Sequence, residues 1–248
     1  MISGTTRLVG LLGHPVSESL SPRMQNAAFA ARGLDWAYVA CDVAPEELET
    51  AIRGLVAVGF AGANVTTPHK AAAAELAETD LESVNTLLFE DGRIRGFSTD
   101  AAVLAGLPAE RAVVIGDGGA AAAFRAALPQ ARTFARKGDW PPDVGGAELV
   151  VNATSERDAV LVEVGSGQTL VDLPYPDTAT ARAAREQGAR VVDGLEVLVA
   201  QGAGAFELWT GVSAPVDVMR RALGIACDAD LRMPGSARHP SETGDLSG

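Results

Sequence analysis

Cysteine and histidine are scarce in this sequence, and what they cannot build narrows its chemistry. Among 248 residues there are two cysteines, Cys41 and Cys227, far apart and without a second Cys or a His at metal-ligand spacing. A disulfide framework or zinc site is therefore not expected, and both thiols read as reduced and structural. The three histidines, His14, His69 and His239, also lack ligand-like neighbours; no metal is expected, and His69 reads as a packing residue at a helix start. Long apolar runs are missing too. Stretches such as Ala112 to Ile115 and Leu149 to Val151 fall far short of the roughly 18 residues of a membrane span. Met1 to Arg7 has no basic stretch leading into an apolar core, so no secretory signal is expected and the reading is a soluble cytoplasmic protein. Positive charge is in deficit, with 20 Lys and Arg against 32 Asp and Glu and a formal net charge of -12. That balance disfavours nucleic acid, whose binding depends on cations that neutralise phosphates. Any anionic ligand has to be held by a few local groups.

What is present is an ordinary globular composition, 47% apolar and 21% charged, enough for one large or two modest cores. Short apolar strands alternate with helical stretches, the pattern of an α/β protein with a mostly parallel sheet. Strands are expected over Arg7 to Leu12, Trp36 to Asp42 and Gly62 to Val65. Between them, helices are expected over Pro22 to Arg32, with Ser21 as N-cap, and over Pro45 to Val58, with a further helix opening at Pro68. Asp91-Gly92, flanked by Thr86 to Phe89 and Arg93 to Phe97, suits a type I′ turn, so an antiparallel hairpin is expected there. A second unit starts near Leu107, with strands at Arg111 to Ile115, Ala131 to Ala135, Leu149 to Asn152, Thr169 to Asp172 and Arg190 to Val192. Helices are read over Ala120 to Leu128, Thr178 to Gln187, Leu195 to Trp209 and Pro215 to Leu223, the last two returning to the first unit. This divides the chain into residues 1–106, completed by helices at about 203–225, then residues 107–202, then a tail at 228–248 whose composition reads as disordered.

Gly116-Asp117-Gly118-Gly119-Ala120-Ala121 lies where a strand meets a helix and fits the G-x-G-x-x-A form of the dinucleotide fingerprint. Glycines let the backbone approach a pyrophosphate, whose charge is met by free N–H groups and the positive helix end. Roughly 20 residues on, an NAD-binding unit presents Asp or Glu to the ribose; here stand Arg136 and Lys137. Two cations at that corner favour the 2′-phosphate of NADP over a merely solvated pair.

The first unit carries further polar segments at strand ends. Ser17-Glu18-Ser19-Leu20-Ser21-Pro22 precedes a helix, where hydroxyls and helical N–H groups can hold a carboxylate. Asn64-Val65-Thr66-Thr67-Pro68-His69-Lys70 joins a strand to a helix, with Lys70 in a first turn whose dipole disfavours a cation, so a functional role explains it better than surface placement. With Ser83-Val84-Asn85-Thr86, Ser98-Thr99-Asp100 and Asp193-Gly194-Leu195-Glu196-Val197-Leu198-Val199-Ala200-Gln201-Gly202-Ala203, these segments resemble the shikimate dehydrogenase family in unbroken order from about Arg7 to Leu223.

The resemblance implies an N-terminal substrate domain, a C-terminal Rossmann-like NADP domain and a cleft between them. It implies NADPH-dependent reduction of 3-dehydroshikimate in a monomer or homodimer, with Lys70 and Asp100 as the catalytic pair. Ser19 and Ser21 would hold the substrate carboxylate, Thr66, Asn85 and Gln201 the ring hydroxyls, and Tyr175 would line the cleft. Gly116, Gly118, Gly119, Ala120, Arg136, Asn152, Thr154, Leu173 and Gly194 would meet the cofactor. A positioned acid and a carboxylate suit the reaction, because a ring ketone must gain a hydride on carbon and a proton on oxygen. The chain departs from the family at Glu18, where His is frequent, and at Ser155-Glu156-Arg157-Asp158, where Gly-Met is usual. The connections between Lys70 and Asn85 and between Lys137 and Leu149 are short, as though a helix were trimmed away. A quinate or amino-shikimate substrate, or a binding protein without productive cofactor binding, stays open at this point.

Overall fold

The computed structural model describes residues 2–226; the tail expected at 228–248, together with Cys227 and His239, lies outside the described residues. Two five-stranded sheets form the frame. In the first, β1 (Arg7–Gly13), β2 (Trp36–Asp42), β3 (Gly62–Val65), β4 (Thr86–Glu90) and β5 (Arg93–Phe97) run in the order β2-β1-β3-β4-β5. The first three are parallel and β4 and β5 antiparallel. Their hairpin turns on Asp91 and Gly92, both at positive φ (51° and 76°), as a type I′ turn requires.

The second sheet holds β6 (Ala112–Ile115), β7 (Arg132–Phe134), β8 (Leu149–Asn152), β9 (Thr169–Asp172) and β10 (Arg190–Val192) in the order β10-β9-β8-β6-β7. All pairs are parallel. β6, β8 and β9 are buried throughout, as expected for strands covered on both faces.

Alternation along the strands sends side chains to two cores in each sheet. Val9 and Leu11 of β1 join Met24 and Phe29 on one face, while Leu12 joins Leu48, Ile52 and Val65 on the other. The same holds for Val113 and Ile115 against Val114. Helices α1 (Ser21–Ala31), α2 (Leu48–Ala57), α3 (Lys70–Glu75), α4 (Gly119–Ala127) and α5 (Ala179–Glu186) connect the strands.

Helix α6 (Gly194–Thr210) and then α7 (Val216–Ala222) carry the chain from the second sheet back to the first. The carboxylate of Asp193 caps α6 by accepting from the N–H groups of Leu195 and Glu196, each at 3.2 Å. At its far end Trp209 donates its indole N–H to the carbonyl of Leu87 at 3.0 Å, and Phe206 stacks on Phe29.

Three local expectations need correction. Ser21 is the first helical residue and makes no capping bond; Leu20 occupies the cap position, and the Ser21 N–H donates instead to the Ser19 hydroxyl at 3.3 Å. The helix after β3 begins at Lys70 rather than Pro68, because a tight turn closed by the His69 N–H on the Thr66 carbonyl comes first. The stretch from Pro45 is a 3₁₀ turn, Pro45–Glu47, followed by α2. The connection from β7 to β8 holds no helix, in line with its shortness in the sequence.

Candidate active site

Sheet topology gathers the polar segments of the first unit at one edge. β1 and β3 are parallel neighbours with Leu12 opposite Val65, so the loops leaving them, Ser17 to Ser21 and Thr66 to Lys70, emerge side by side. β4 runs the other way, with Asn64 opposite Thr86, so Asn85 enters at that same edge. β5 pairs Phe97 with Thr86, and the next residues, Ser98 to Asp100, return there again.

Lys70 and Asp100, far apart in sequence, meet in this way: Lys70 donates from Nζ to Asp100 Oδ2 at 2.5 Å, with 14% and 11% of their side chains exposed. The other carboxylate oxygen, Oδ1, accepts from Asn85 Nδ2 at 2.8 Å. Asn85 Nδ2 also reaches Thr99 Oγ1 (3.0 Å) and Gln201 Oε1 (3.4 Å), and its Oδ1 accepts the Thr99 N–H at 2.8 Å. Behind it, Asn64 donates to the Asn85 carbonyl and to the Thr86 hydroxyl, each at 3.0 Å, and accepts from the Tyr38 hydroxyl at 2.9 Å. Tyr38, Asn64, Asn85, Thr86, Thr99 and Asp100 are buried, with Lys70 and Gln201 half-buried at the edge, and a buried polar network in which each member has partners is rigid and expensive to rearrange.

In front of the pair lies a cavity of about 510 Å³ lined by Glu18, Ser19, Ser21, Thr66, Lys70, Asn85, Asp100, Tyr175, Gly194 and Gln201 among others, a size suited to a small organic ligand. Burial raises the pKa of Tyr175, against hydrogen bonds to Leu20 and Ser19, so its hydroxyl stays protonated and able to donate. A second cavity, about 980 Å³, opens at the carboxyl ends of β6, β7, β8 and β9, where strand order reverses between β6 and β8, the usual ligand position in an open parallel sheet. Gly116, Gly118, Gly119, Ala120, Arg136, Thr154 and Leu173 line it. The two cavities share Thr66, Lys70, Ala120, Arg157, Leu173 and Tyr175, so Lys70 stands at their junction.

The glycine turn has a steric basis. Gly116 has φ +130°, and a Cβ there would lie 2.9 Å from the Ala153 carbonyl oxygen. At Gly119 a Cβ would meet Ser83 Oγ at 2.7 Å and Lys70 Cβ at 2.9 Å, so only glycine lets the start of α4 press against the lysine. Gly118, by contrast, faces open space. Gly194 is held close under the carbonyls of Leu173 and Pro174.

Lys137, read with Arg136 as a cation for a 2′-phosphate, lines neither cavity, and of the site residues implied by the resemblance Asn152 alone stands outside both linings. It is fully buried, donating to Asp172 Oδ1 at 2.6 Å and accepting the Thr154 N–H and hydroxyl at 3.1 and 2.8 Å. It holds the cavity wall rather than forming it. His69 packs as expected, with Nε2 at 2.8 Å from the Val43 carbonyl. Asn64 and Arg157 line the site without a role having been assigned to either from the sequence. An Asn inside an otherwise apolar strand was the available signal for the first. For Arg157, which hydrogen-bonds the Tyr175 carbonyl at 2.9 Å, only the unusual loop composition hinted. Among the described residues no group of three or more His, Cys, Asp or Glu could hold a metal, and no helix is long and apolar enough to cross a membrane.

The chain matches the family models for the shikimate dehydrogenase substrate binding domain over residues 11–87 and the shikimate 5′-dehydrogenase C-terminal domain over residues 194–223. A shikimate dehydrogenase (NADP(+)) of Anaeromyxobacter sp. (strain K) is 41% identical over 271 aligned positions, covering 90% of this chain and 98% of the relative. A shikimate dehydrogenase solved in complex with NADP+ superposes with a TM-score of 0.81 at 31% identity, covering 90% of this chain and 96% of that one. The enzyme of Thermus thermophilus, solved with NADP(H) and shikimate, gives 0.75 at 31%, covering 87% and 98%. With such identity across nearly the whole relative, and both ends matched by family models, this chain belongs to the shikimate dehydrogenase family.

Proposed function

We propose that this chain reduces 3-dehydroshikimate to shikimate with NADPH, the ring acid in the smaller cavity and the dinucleotide in the larger. The observation that carries this reading is the Lys70–Asp100 pair at the junction of the two cavities. A proton donor is needed where a ring carbon and a nicotinamide would meet, and nowhere else.

The residues present suit the cofactor. Gly116, Gly118 and Gly119 leave a backbone cradle at the N-terminus of the nine-residue α4, where free N–H groups and the helix dipole favour a pyrophosphate. Arg136 supplies a guanidinium for a 2′-phosphate. Bound there, NADPH supplies the hydride that forms the new C–H bond. The chain's own residues do the rest. Ser19, Ser21 and the protonated Tyr175 hydroxyl offer neutral donors to the substrate carboxylate, and Thr66, Asn85 and Gln201 face the ring hydroxyls. As the carbonyl π pair moves onto oxygen, Lys70 Nζ gives that oxygen its proton and stabilises the charge building there. Asp100 holds the ammonium in position and is itself fixed by Asn85.

The direct test is turnover of NADPH with 3-dehydroshikimate, followed by loss of NADPH absorbance and compared with NADH. Absence of turnover with 3-dehydroshikimate under either cofactor overturns the assignment.

A further inference from the structure

Arg136, the cation offered to a 2′-phosphate in the larger cavity, is already engaged. It donates from Nη2 to Glu156 Oε2 at 2.9 Å, and its guanidinium lies 5.7 Å from the centre of the Trp140 ring. The carboxylate is held by its own loop. Its Oε1 accepts the N–H groups of Asp158 and Ala159 at 3.1 and 3.3 Å, and the Glu156 N–H donates to the Thr154 hydroxyl at 3.2 Å, itself bonded to buried Asn152. Arg136 keeps 60% of its side chain exposed against 26% for Glu156, so the carboxylate is the anchored partner. The hydrogen bond from Arg136, with those from Asp158 and Ala159, lowers the Glu156 pKa, and the group is ionised at neutral pH.

We propose that Glu156 is an internal stand-in for the cofactor's 2′-phosphate and sets how strongly this chain prefers NADP over NAD; this rests on the cofactor reading above. An incoming 2′-phosphate must share or take over a guanidinium beside a fixed negative charge, which costs affinity. A ribose that carries a free 2′-hydroxyl meets no such repulsion and can donate to the carboxylate, the arrangement by which NAD-binding units read that hydroxyl. Glu156 therefore weakens phosphate recognition selectively, and Arg136 is shared between loop and ligand.

The test is calorimetric binding of adenosine 2′,5′-bisphosphate and adenosine 5′-monophosphate to the full chain, without turnover. Glu156→Gln keeps an acceptor oxygen for the Asp158 and Ala159 N–H groups while removing the charge. It should tighten the bisphosphate about fivefold, the scale of a partly exposed charge pair, and leave the monophosphate within about twofold. Equal tightening of both ligands, or of neither, overturns the proposal. Arg136→Ala separates this from the underlying assignment. It should weaken the bisphosphate alone; if it leaves both affinities unchanged, the phosphate role of Arg136 falls and the proposal with it. If Arg136→Ala behaves as expected and Glu156→Gln does not, only the role of Glu156 is lost.

Discussion

At the edge of the first sheet the chemistry-bearing groups are turned inward and bonded to one another: Lys70 to Asp100, Asp100 to Asn85, Asn85 to Thr99 and Gln201. At the edge of the second sheet the charged pair of Arg136 and Glu156 stands on loops that follow β7 and β8, with its guanidinium largely exposed. Low dielectric and mutual polarisation strengthen the first arrangement, whereas an exposed ion pair contributes little and is easily exchanged for another partner. The Lys70 side, proposed to transfer the proton, is therefore fixed by bonds within the protein, while the Arg136 side, proposed to meet the cofactor, is held by a readily exchanged pair. A glycine-lined contact joins the two, because α4 starts against Lys70 and the Ser83 hydroxyl donates to the Gly119 carbonyl at 3.1 Å.

The strongest way to break this contrast is at Lys70. Lys70→Ala should lower kcat by about 10²- to 10⁴-fold, the range of general acid catalysis, with the Michaelis constant for the ring substrate changed only a few-fold; an unchanged kcat removes the proposed role. Asp100→Asn should fall in the same range, and the double variant should be no slower than the worse single one if the two act as a unit. Substrate-side losses thus appear in kcat.

On the cofactor side, losses should appear in binding. Arg136→Ala is expected to raise the Michaelis constant for NADPH about 10- to 100-fold, the value of a charge-assisted hydrogen bond, and to leave that for NADH within about twofold. Parallel changes for both cofactors would contradict the contrast.

Gly119→Ala probes the contact between the sides. A methyl at 2.9 Å from Lys70 Cβ forces either the helix or the lysine to shift. Turnover should fall about tenfold through misplacement of the reacting groups, and the overpacking should cost about 1–3 kcal/mol of stability, read as a drop in Tm. A variant with unaltered Tm and kcat would mean that the sides move freely.

The smallest effect is expected at Glu18, which lies exposed at the rim of the smaller cavity. Glu18→Gln should change shikimate affinity less than about twofold, since a solvated rim charge interacts weakly. A marked loss would show that Glu18 orders the Ser19 loop.

Much of the frame is legible residue by residue. The runs Ala112–Ile115, Leu149–Asn152 and Thr169–Asp172 are apolar enough to announce buried parallel strands, and Asp91-Gly92 announces its hairpin. Legibility fails where a residue has two ways to satisfy its polar groups. Ser21 has the side chain of a helix cap, yet the helix starts one residue earlier than a Ser21 cap implies, and its N–H turns to Ser19. Asn152, which the resemblance sets against the cofactor, ends β8, and Asp172 and Thr154 claim its side chain. Spacing along the chain does not reveal which partner wins, because the outcome depends on how each loop is pinned to its neighbours.

By itself the sequence determined the order of strands and helices, the glycine turn after β6 and the set of polar residues placed at strand ends, because these depend on periodicity and backbone freedom over a few neighbouring positions. Only the tertiary structure decided that Asp100 would hold Lys70, that Asn85 would stand between Asp100 and Gln201, and that Glu156 would face Arg136. Those pairings depend on which strands become neighbours and in which direction they run, and on the paths of the loops that leave them. That choice is made by the burial of whole sheet faces, and no local run of residues carries it.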